Sequence, residues 1–582
     1  MSQYSAWKVN KEEVVAENGI VTSALPLSAE AGLSILKAGG NAIDAAVAIG
    51  FCNVVQEPYM ASIGGMGYMV VHLADEAKTI GVDFNGRAPQ GTTDEMYDVI
   101  GPSTGAGYKT FDVVDDANNS GPLSATVPAT CAGFCEAHKR FGVLPLEQVL
   151  EPAIALASNG FDANWYLTMS AANMYDTFNS DSQLSSVWLP GGKVPKSHPK
   201  PATKIIQKDL AHLLENLAKK GRDAMYSGDV AEAIDDHMKK GGGVLRRKDL
   251  EDYQPVVGET ANTNFGKYNV NVVNTPSGGI TNLQTLNILN NFDLKNMGHN
   301  TAEYLHTFMM SARHAFADRF GYLGDWEHHD IPINGLLSSS YAKEIAKQVK
   351  APTFEIRDLG QREPLVEFME NPIHDPWNYD PNQKVPVPSH PAMDTNSEDT
   401  THINVVDKDR NAVSCTHTGV FAKGLNPAGT GVAMVGGMGW FIPKPGYPNS
   451  MAPWKRPMNN MSPFMVLENK RPILMQGAPG ARRIMNRNAQ VILNILVFGM
   501  SPQEAIIQPV VDVSGRKTFI DSRMDSSIVN SLIDLGHDID LLEEEPAPTG
   551  YFARPSAIQI DYGKNILKAG VDAYRPTTAL GY

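Results

Sequence analysis

The chain has 582 residues, of which 42% are hydrophobic and 19% charged, so it is long enough for a large globular core. Its formal net charge of −15 argues against a nucleic-acid partner. No run of about 18 apolar residues occurs, so no membrane span is expected. The first ten residues lack a secretory leader, and the cysteines lack zinc-type spacing, which together predict a cytoplasmic protein with buried, reduced thiols. These cysteines are Cys52, Cys131, Cys135 and Cys415.

The first 260 residues mix short apolar strands with helices. A strand at 20–24 precedes a helix at 29–38, which Gly39-Gly40 ends. Asn41 caps an alanine-rich helix at 42–51. The run Gly64-Gly65-Met66-Gly67 follows no Rossmann pattern, and we interpret it as a structural turn before a strand at 68–72. Further helices are predicted at 131–141, 146–159 and 205–220.

Residues 350–399 are rich in Pro, Asp, Glu and Asn and show little apolar periodicity. They predict a long linker, which is unusual inside a compact domain and often functional. The chain then becomes rich in β-structure. Strands are predicted at 401–406, 412–418, 465–467 and 473–476, and a helix at 486–498.

The boundary between Asp399 and Thr400 is the most informative point. Two β-branched runs follow it, separated by an Asp-Lys-Asp-Arg-Asn turn, which predicts a hairpin. If the turn centres on Asp409, Thr418 lies across from Thr400. A second hydroxyl therefore stands beside the first residue of the strand.

That arrangement suits one kind of catalysis. A threonine hydroxyl is a weak nucleophile without an adjacent base. An N-terminal threonine carries its own base, an α-amino group with a pKa of about 8. To release that amine, the bond between Asp399 and Thr400 must be cut. Taken alone, however, a Thr-Thr strand start is also a common β-propensity signal.

The segment 400–418 resembles the small-subunit start of gamma-glutamyltranspeptidases, where Thr-Thr-His precedes a Val-Val-Asp strand, a turn and Asn-Ala-Val. Similar family motifs occur in order along nearly the whole chain. They are found at 41–48, 64–68, 276–279, 315–319, 322–325 and 455–463.

The resemblance implies an α+β fold, a four-layer αββα sandwich of the N-terminal-nucleophile (Ntn) hydrolases, autoprocessed into two subunits. Residues 1–399 would form the large subunit and 400–582 the small one, together one αββα domain. The two subunits would form a heterodimer, which could pair again. Thr400 would be the nucleophile and Thr418 its hydrogen-bonding partner. Gly480 and Ala481 stand where the family has a Gly-Gly pair whose backbone N–H groups stabilise an oxyanion.

The chain departs from the family where the substrate's amino-acid head group would bind. Asn85 stands at the position of the carboxylate-binding arginine, and Arg87, two residues on, could substitute for it. Several other head-group ligands are also replaced. The residues at or near their positions are Val420, Met438, Trp440, Asn459 and Asn460. The site is therefore predicted to be more apolar, which favours an N-acyl or other non-glutamyl amide.

Three functions stay open on the sequence. The first is an amidohydrolase or acyltransferase that passes the acyl group of a small amide to water or an amine. The second is a genuine gamma-glutamyl hydrolase or transferase, and the third an unprocessed binding protein. His402 and His417 are interpreted as structural, and Arg482-Arg483 as either an anion contact or an ordinary ion pair. No motif suggests a metal or organic cofactor.

Overall fold

The computed structural model describes residues 9–102, 111–274, 276–349, 400–419, 424–515, 517–548 and 550–582. The linker predicted at about 350–399, which includes Asp399 of the expected cleavage site, lies outside the described residues, as does Val420. No helix in the described ranges is long and apolar enough to cross a membrane.

The strands of the described residues, in chain order, are as follows. They are β1 (Val14–Ala16), β2 (Ile20–Ser23), β3 (Met66–Leu73), β4 (Lys78–Phe84), β5 (Val99–Pro102), β6 (Phe111–Val113), β7 (Phe161–Asp162), β8 (Lys204–Ile205), β9 (Val256–Glu259), β10 (Ala261–Phe265), β11 (Tyr268–Val272), β12 (Thr401–Val406), β13 (Ala412–Thr418), β14 (Phe464–Glu468), β15 (Arg471–Gly477), β16 (Val511–Asp512), β17 (Thr518–Asp521), β18 (Ile539–Leu542), β19 (Ser556–Asp561), β20 (Ile566–Val571) and β21 (Thr578–Gly581).

The α-helices of the same residues surround these strands. They are α1 (Pro26–Lys37), α2 (Ala42–Gln56), α3 (Thr130–Phe141), α4 (Leu146–Asn159), α5 (Trp165–Asn173), α6 (Tyr175–Asn179), α7 (Ser182–Trp188), α8 (Lys208–Lys220), α9 (Asp223–Tyr226), α10 (Gly228–Gly241), α11 (Arg247–Asp252), α12 (Gly279–Leu289), α13 (Leu294–Met297), α14 (Ala302–Tyr322), α15 (Ile333–Leu336), α16 (Ser339–Val349), α17 (Arg483–Leu496), α18 (Pro502–Ile506) and α19 (Ser526–Asp534).

Two antiparallel seven-stranded sheets pack face to face. Sheet I has the order β1-β20-β19-β15-β14-β11-β10, and sheet II the order β21-β2-β12-β13-β3-β4-β9. Strands β12 and β13 contact β15 and β19 across the interface. Helices α2 and α3 cover the outer face of sheet II, while α12 and α17 cover sheet I. The predicted αββα sandwich is therefore confirmed.

Most predicted elements form close to their predicted bounds. The helix at 146–159 and the strands at 401–406 and 412–418 match them residue for residue. The helix predicted at 205–220 begins at Lys208 instead, because Ile205 pairs with Phe161 in a two-stranded ribbon. The helix predicted at 486–498 runs from Arg483 to Leu496. All four cysteines are buried free thiols, as predicted.

The layer between the two sheets is polar near the middle of sheet II. Asn404 on β12 donates from Nδ2 to the Ser556 carbonyl on β19 at 3.2 Å. Ser414 on β13 donates from Oγ to the Gln476 carbonyl on β15, also at 3.2 Å. These side chains are buried, so each such bond supplies a partner that water cannot. The hydrogen bonds therefore fix how the sheets sit on each other.

The turn between β12 and β13 is anchored by one buried carboxylate. Asp407 accepts from the backbone N–H of Asp409 at 2.9 Å and of Asn411 at 3.0 Å. Its other oxygen accepts from the N–H of Ala42, the first residue of α2, at 3.0 Å. The hairpin is thus tied directly to the helix that packs behind it.

Replacing Asp407 with alanine should lower the free energy of unfolding by about 2–4 kcal/mol, because several buried N–H groups would lose their acceptor. Equilibrium urea unfolding measures this loss. The matched control is Asp409→Ala in the same turn, where the carboxylate is exposed and the effect should be under about 1 kcal/mol. Equal losses in both variants would contradict the anchoring role of Asp407.

Candidate active site

Thr400 lies directly before β12 at the end of sheet II. The β12–β13 register pairs Thr401 with His417 and His402 with Thr416, which confirms the predicted hairpin centred on Asp409. The Thr400 hydroxyl donates to the Thr418 hydroxyl at 3.2 Å. Both threonines are buried, with 6% and 1% of their surfaces exposed. A potential nucleophile is therefore held beside a second hydroxyl and largely shielded from bulk water.

The glycine run before β3 lets the backbone approach Thr418. A Cβ on Gly65 would overlap the Thr418 carbonyl oxygen, and a Cβ on Gly67 would lie 2.7 Å from the His417 Cβ. The Gly65 carbonyl also accepts from the N–H groups of Ala129 and Thr130, at 2.8 and 2.9 Å. These contacts agree with the interpretation of the run as a structural turn.

The loop that follows β15 joins the site from sheet I. Gly477 lies against the His402 ring, since a Cβ there would overlap it. Further on, Gly480 has φ +139° and Ala481 has φ +50°, just before α17 begins at Arg483. Ala481 stands where the family has a second glycine, so the sign of its φ matters. Because φ is positive, Ala481 holds a left-handed conformation that glycine would adopt without strain.

Both histidines of the hairpin are buried and neutral. His402 hydrogen-bonds Thr416 through Nδ1 at 2.8 Å and Asn404 through Nε2 at 2.9 Å. On the opposite face of the hairpin, His417 packs edge-on against Phe134 with ring centroids 5.1 Å apart. Burial lowers the pKa of each imidazole to about 3. These surroundings favour structural roles, as the sequence reading expected.

Met66 brings several predicted substrate-binding segments together beside Thr418, its partner in the β13–β3 register. Its Sδ accepts from the Asn459 amide at 3.4 Å. A Cβ on Gly86, next to Asn85, would lie 2.9 Å from Met66 Cε, and a Cβ on Gly437, next to Met438, 2.7 Å from it. The strand end at 85–87, the turn at 437–440 and Asn459 therefore converge on Met66, the strand partner of Thr418.

The predicted apolar residues of the turn are buried. Met438 packs in a small apolar cluster, and Trp440, in the same 3-10 turn, is 9% exposed. The cluster contains Ala88, Tyr97, Val113, Phe441 and Met451 besides Met438. The Trp440 carbonyl accepts from the Asn449 amide at 2.7 Å, which holds the turn in place.

Asn85 and Arg87 are both engaged by protein groups. The Asn85 side chain donates to the Pro457 carbonyl at 2.7 Å. Arg87 contacts both oxygens of Glu327, at 2.8 and 3.1 Å, and donates to the Trp454 carbonyl at 2.8 Å. The positive charge of Arg87 is thus already paired with the Glu327 carboxylate, whereas an arginine that binds a substrate carboxylate would need that charge unpaired.

A second arginine, Arg456, forms ion pairs with the carboxylates close to Arg87. Arg456 contacts Asp83 and Asp325 at 2.6 Å each, and Glu327 at 3.2 Å. Burial alone would lower the pKa of Arg456, but the two aspartates outweigh it and raise that pKa. These three carboxylates therefore serve arginines of the protein itself.

Arg482 and Arg483, which follow the Gly480–Ala481 loop, make different contacts. The Arg483 guanidinium donates to the carbonyls of Gly550 and Tyr551, at 2.8 and 2.6 Å. The Arg482 guanidinium lies 5.0 Å from the centre of the Phe320 ring. Arg483 is thus a structural tie to the 550–551 segment.

Sequence reasoning missed Met66 and Arg319, which contact the predicted residues Asn459 and Asn460, although family motifs cover both. Asn460, which it did predict, accepts from Arg319 Nη2 at 2.9 Å. One signal could have identified Arg319. It lies in a helical stretch with apolar residues on all faces, where a charged side chain requires a specific partner.

The free energy of unfolding should fall as pH falls below about 6.5, the pKa of histidine in the unfolded chain. Between that pH and about 3, the folded-state pKa of His402 and His417, only the unfolded state binds a proton at each histidine. Each histidine contributes a slope of about 1.4 kcal/mol per pH unit within that window. In His402→Gln the slope should be shallower by about that amount, measured by urea unfolding between pH 4.5 and 6. An unchanged slope would mean that His402 titrates alike in both states.

Replacing Ala481 with glycine should raise the free energy of unfolding by about 0.5–1 kcal/mol, because relief of the left-handed strain exceeds the entropy that glycine adds to the unfolded chain. The control is Ala478→Gly in the same loop, where φ is not positive and a loss of about 1 kcal/mol is expected. Urea unfolding of both variants tests this. Destabilisation by both would show that Ala481 is unstrained.

Comparison with known proteins places this site in a family. The family model described as "Gamma-glutamyltranspeptidase" matches residues 28–582. The chain is 32% identical over 520 residues to the glutathione hydrolase proenzyme of Pseudomonas sp. (strain A14), covering 87% of this chain and 83% of that protein. It is 33% identical over 532 residues to the acylase ACY 1 proenzyme of Pseudomonas sp. (strain SE83), covering 91% and 88%.

Solved structures share the architecture. Cephalosporin acylase from Bacillus halodurans superposes with a TM-score of 0.81 at 24% identity, covering 100% of this chain and 99% of that one, which supports the fold alone. Gamma-glutamyltranspeptidase from Helicobacter pylori superposes with a TM-score of 0.53 at 32% identity, covering 58% of this chain and 93% of that one. The chain belongs to the gamma-glutamyltranspeptidase family of Ntn amidohydrolases and transferases.

Proposed function

We propose that this protein is a self-cleaving amidohydrolase or acyltransferase with Thr400 as its nucleophile, acting on a small amide other than a gamma-glutamyl peptide. The observation that carries the proposal is the 3.2 Å contact between the Thr400 and Thr418 hydroxyls at the buried start of β12. The two Pseudomonas relatives are both named as proenzymes, which supports processing here as well.

In the maturation step, the Thr400 Oγ1 attacks the carbonyl carbon of Asp399. The peptide C–N bond breaks as an ester C–O bond forms, and the nitrogen of Thr400 takes up the proton that the hydroxyl gives up. Water then hydrolyses the ester, which leaves a carboxyl group on Asp399 and a free amine on Thr400. Both sheets take strands from either side of residue 400, so the two pieces would remain one folded unit.

In turnover, the free amine of Thr400 serves as the general base, since an α-amino group with a pKa of about 8 is partly neutral near pH 7. The activated hydroxyl adds to the amide carbonyl, and backbone N–H groups of the Gly480–Ala481 loop stabilise the oxyanion. Collapse expels the amine with a proton and leaves an acyl ester on Thr400. Water or a second amine then takes the acyl group.

The choice of a non-gamma-glutamyl amide rests on the head-group contacts. Arg87 is neutralised by Glu327, and the carboxylates of Asp83 and Asp325 are held by Arg456. A substrate ammonium group would therefore compete with the protein's own arginines for these acceptors. Around Met438 and Trp440 the walls are apolar and offer such a group little.

Glutathione hydrolysis is the second candidate, favoured by the 32% identity to a relative of that name. This function requires the substrate's amino-acid head group to bind although the nearby arginines and carboxylates already form ion pairs with each other. Turnover of glutathione at a rate at or above that of N-acyl amides would select this function over the first.

The purified protein should give two pieces of about 43 and about 20 kDa on a denaturing gel, in proportion to the 399 and 183 residues they hold of the 63.2 kDa chain. Thr400→Ala should remain a single chain near 63.2 kDa without amidase activity, because it lacks the nucleophile of both steps. Intact mass and N-terminal sequencing locate the cut.

Thr401→Val is the matched control, since Thr401 is equally buried but points to the other face, 3.5 Å from the Asn53 amide. This variant should still be cleaved before Thr400, and Thr400→Ser should be cleaved more slowly. A wild-type protein that stays whole would instead favour the unprocessed binding protein. Cleavage of Thr400→Ala at the same bond would refute Thr400 as the nucleophile.

A further inference from the structure

A cavity of about 330 Å³ lies between the C-terminal end of α2, helix α7, the start of α8 and the segment 426–433. More than half of its lining residues are apolar, and most of these are aliphatic. The apolar side chains include Val54, Ile63, Leu184, Trp188, Ile206 and Val432. Cavities of this size and composition are typical of small-molecule sites. None of the described residues proposed above for catalysis or substrate binding lines it, so the cavity is distinct from the candidate active site.

Packing and hydrogen bonds between its walls hold this cavity in shape. Trp188 is 2% exposed and packs edge-on against Tyr59, with ring centroids 5.8 Å apart. The Gln207 side chain donates to the Val55 carbonyl at 2.6 Å, which ties the start of α8 to α2. Gly431 lies so close to the first turn of α8 that a Cβ there would overlap its backbone. A cavity formed in advance costs a ligand little ordering energy.

The rim of the cavity is locally basic, although the chain as a whole has a net charge of −15. Residues 182–208 run from the first residue of α7 to the first residue of α8 and contain neither Asp nor Glu. Both ends of this segment line the cavity. Its lysines are Lys193, Lys196, Lys200, Lys204 and Lys208, all of them exposed. Only Lys204 has an ion-pair partner among the described residues, Asp162 at 3.6 Å. The other four are therefore available to an anionic ligand.

The start of α8 adds to this positive potential. Lys208 is the first residue of the helix and lines the cavity. Gln207, the N-cap, makes no side-chain cap hydrogen bond, so the partial positive charge of the helix end is not offset by a capping side chain. Asp209 is the one carboxylate among the described lining residues, and the four lysines without ion pairs outnumber it. The mouth of the cavity thus favours an anion over a cation.

We propose that this cavity is a second small-molecule site, which binds an amphiphilic carboxylate of the medium-chain fatty acid class. The alkyl chain lies among the aliphatic side chains, and the carboxylate lies at the rim beside Lys208. Burial of the chain supplies most of the affinity, and the basic rim selects the charge of the head group. The inference goes beyond the proposed function, since binding requires neither cleavage before Thr400 nor turnover.

The test measures binding of hexanoate, octanoate and octylammonium to the purified full chain by isothermal titration calorimetry at low ionic strength. Octanoate should bind at a single site and about 10-fold more tightly than hexanoate, because two further methylene groups leave water. It should also bind about 10-fold more tightly than octylammonium, which has a chain of equal length and the opposite charge. Thr400→Ala should bind octanoate as the wild type does.

Ser186→Trp tests the location of the site. Ser186 is an exposed residue of α7 that lines the cavity. An indole there would fill the space proposed for the alkyl chain, so octanoate binding should weaken by at least about 10-fold. The matched control is Ser182→Trp, since Ser182 is exposed on the same helix but does not line the cavity. This control should bind octanoate like the wild type.

Lys208→Gln tests the head-group contact. The ratio of octanoate to octylammonium affinity should fall by about 2- to 5-fold, the range expected for one exposed charge pair. Lys220→Gln is the matched control, because Lys220 is exposed at the other end of the same helix and does not line the cavity. Its ratio should equal that of the wild type.

Several results would overturn the inference. They are a wild type that does not bind octanoate, octylammonium binding as tight as that of octanoate, and equal octanoate binding in Ser186→Trp and Ser182→Trp. Loss of octanoate binding in Thr400→Ala would place the ligand in the active site and also overturn it. If Ser186→Trp does not fold, the head-group preference of the wild type and the Lys208→Gln ratio decide. None of these results bears on cleavage before Thr400 or on amidase activity, which test the proposed function separately.

Discussion

The antiparallel pairing of β12 with β13 is the constraint on which the candidate site depends. Side chains alternate between the faces of a strand, so a slip of one residue would turn Thr418 away from Thr400. Asp407 at the turn, the paired strands and the glycines facing Thr418 all hold the same register. The candidate nucleophile Thr400 and the Thr418 hydroxyl are therefore positioned by backbone geometry.

Around that hairpin the two sheets meet through hydrogen bonds as well as apolar contacts. Asn404, Ser414 and His402 lie on the inward face, where most sandwich cores are apolar. Buried polar networks of this kind specify one arrangement of the sheets, because any shift leaves donors unsatisfied. The loop that carries Gly480 comes from sheet I and the threonines from sheet II, so this arrangement determines how the two halves of the site meet.

The charged side chains around Arg87 form ion pairs with each other. Arg87 and Arg456 satisfy Glu327, Asp83 and Asp325, which leaves those carboxylates poor acceptors for a substrate ammonium. These ion pairs are the basis of the proposal that the substrate lacks an amino-acid head group.

The sequence by itself determined the hairpin and its register, because β-branched alternation and turn residues are local signals. The sandwich was implied by the order of the family motifs. The sequence also singled out Thr400, Thr418 and Asn459 through motif order. Only the tertiary structure decided that Arg87 is paired with Glu327 and that Ala481 has a positive φ. The physical reason is that ion pairs and burial depend on residues distant in the chain. Glu327 lies 240 residues beyond Arg87, a separation at which no local pattern predicts a partner.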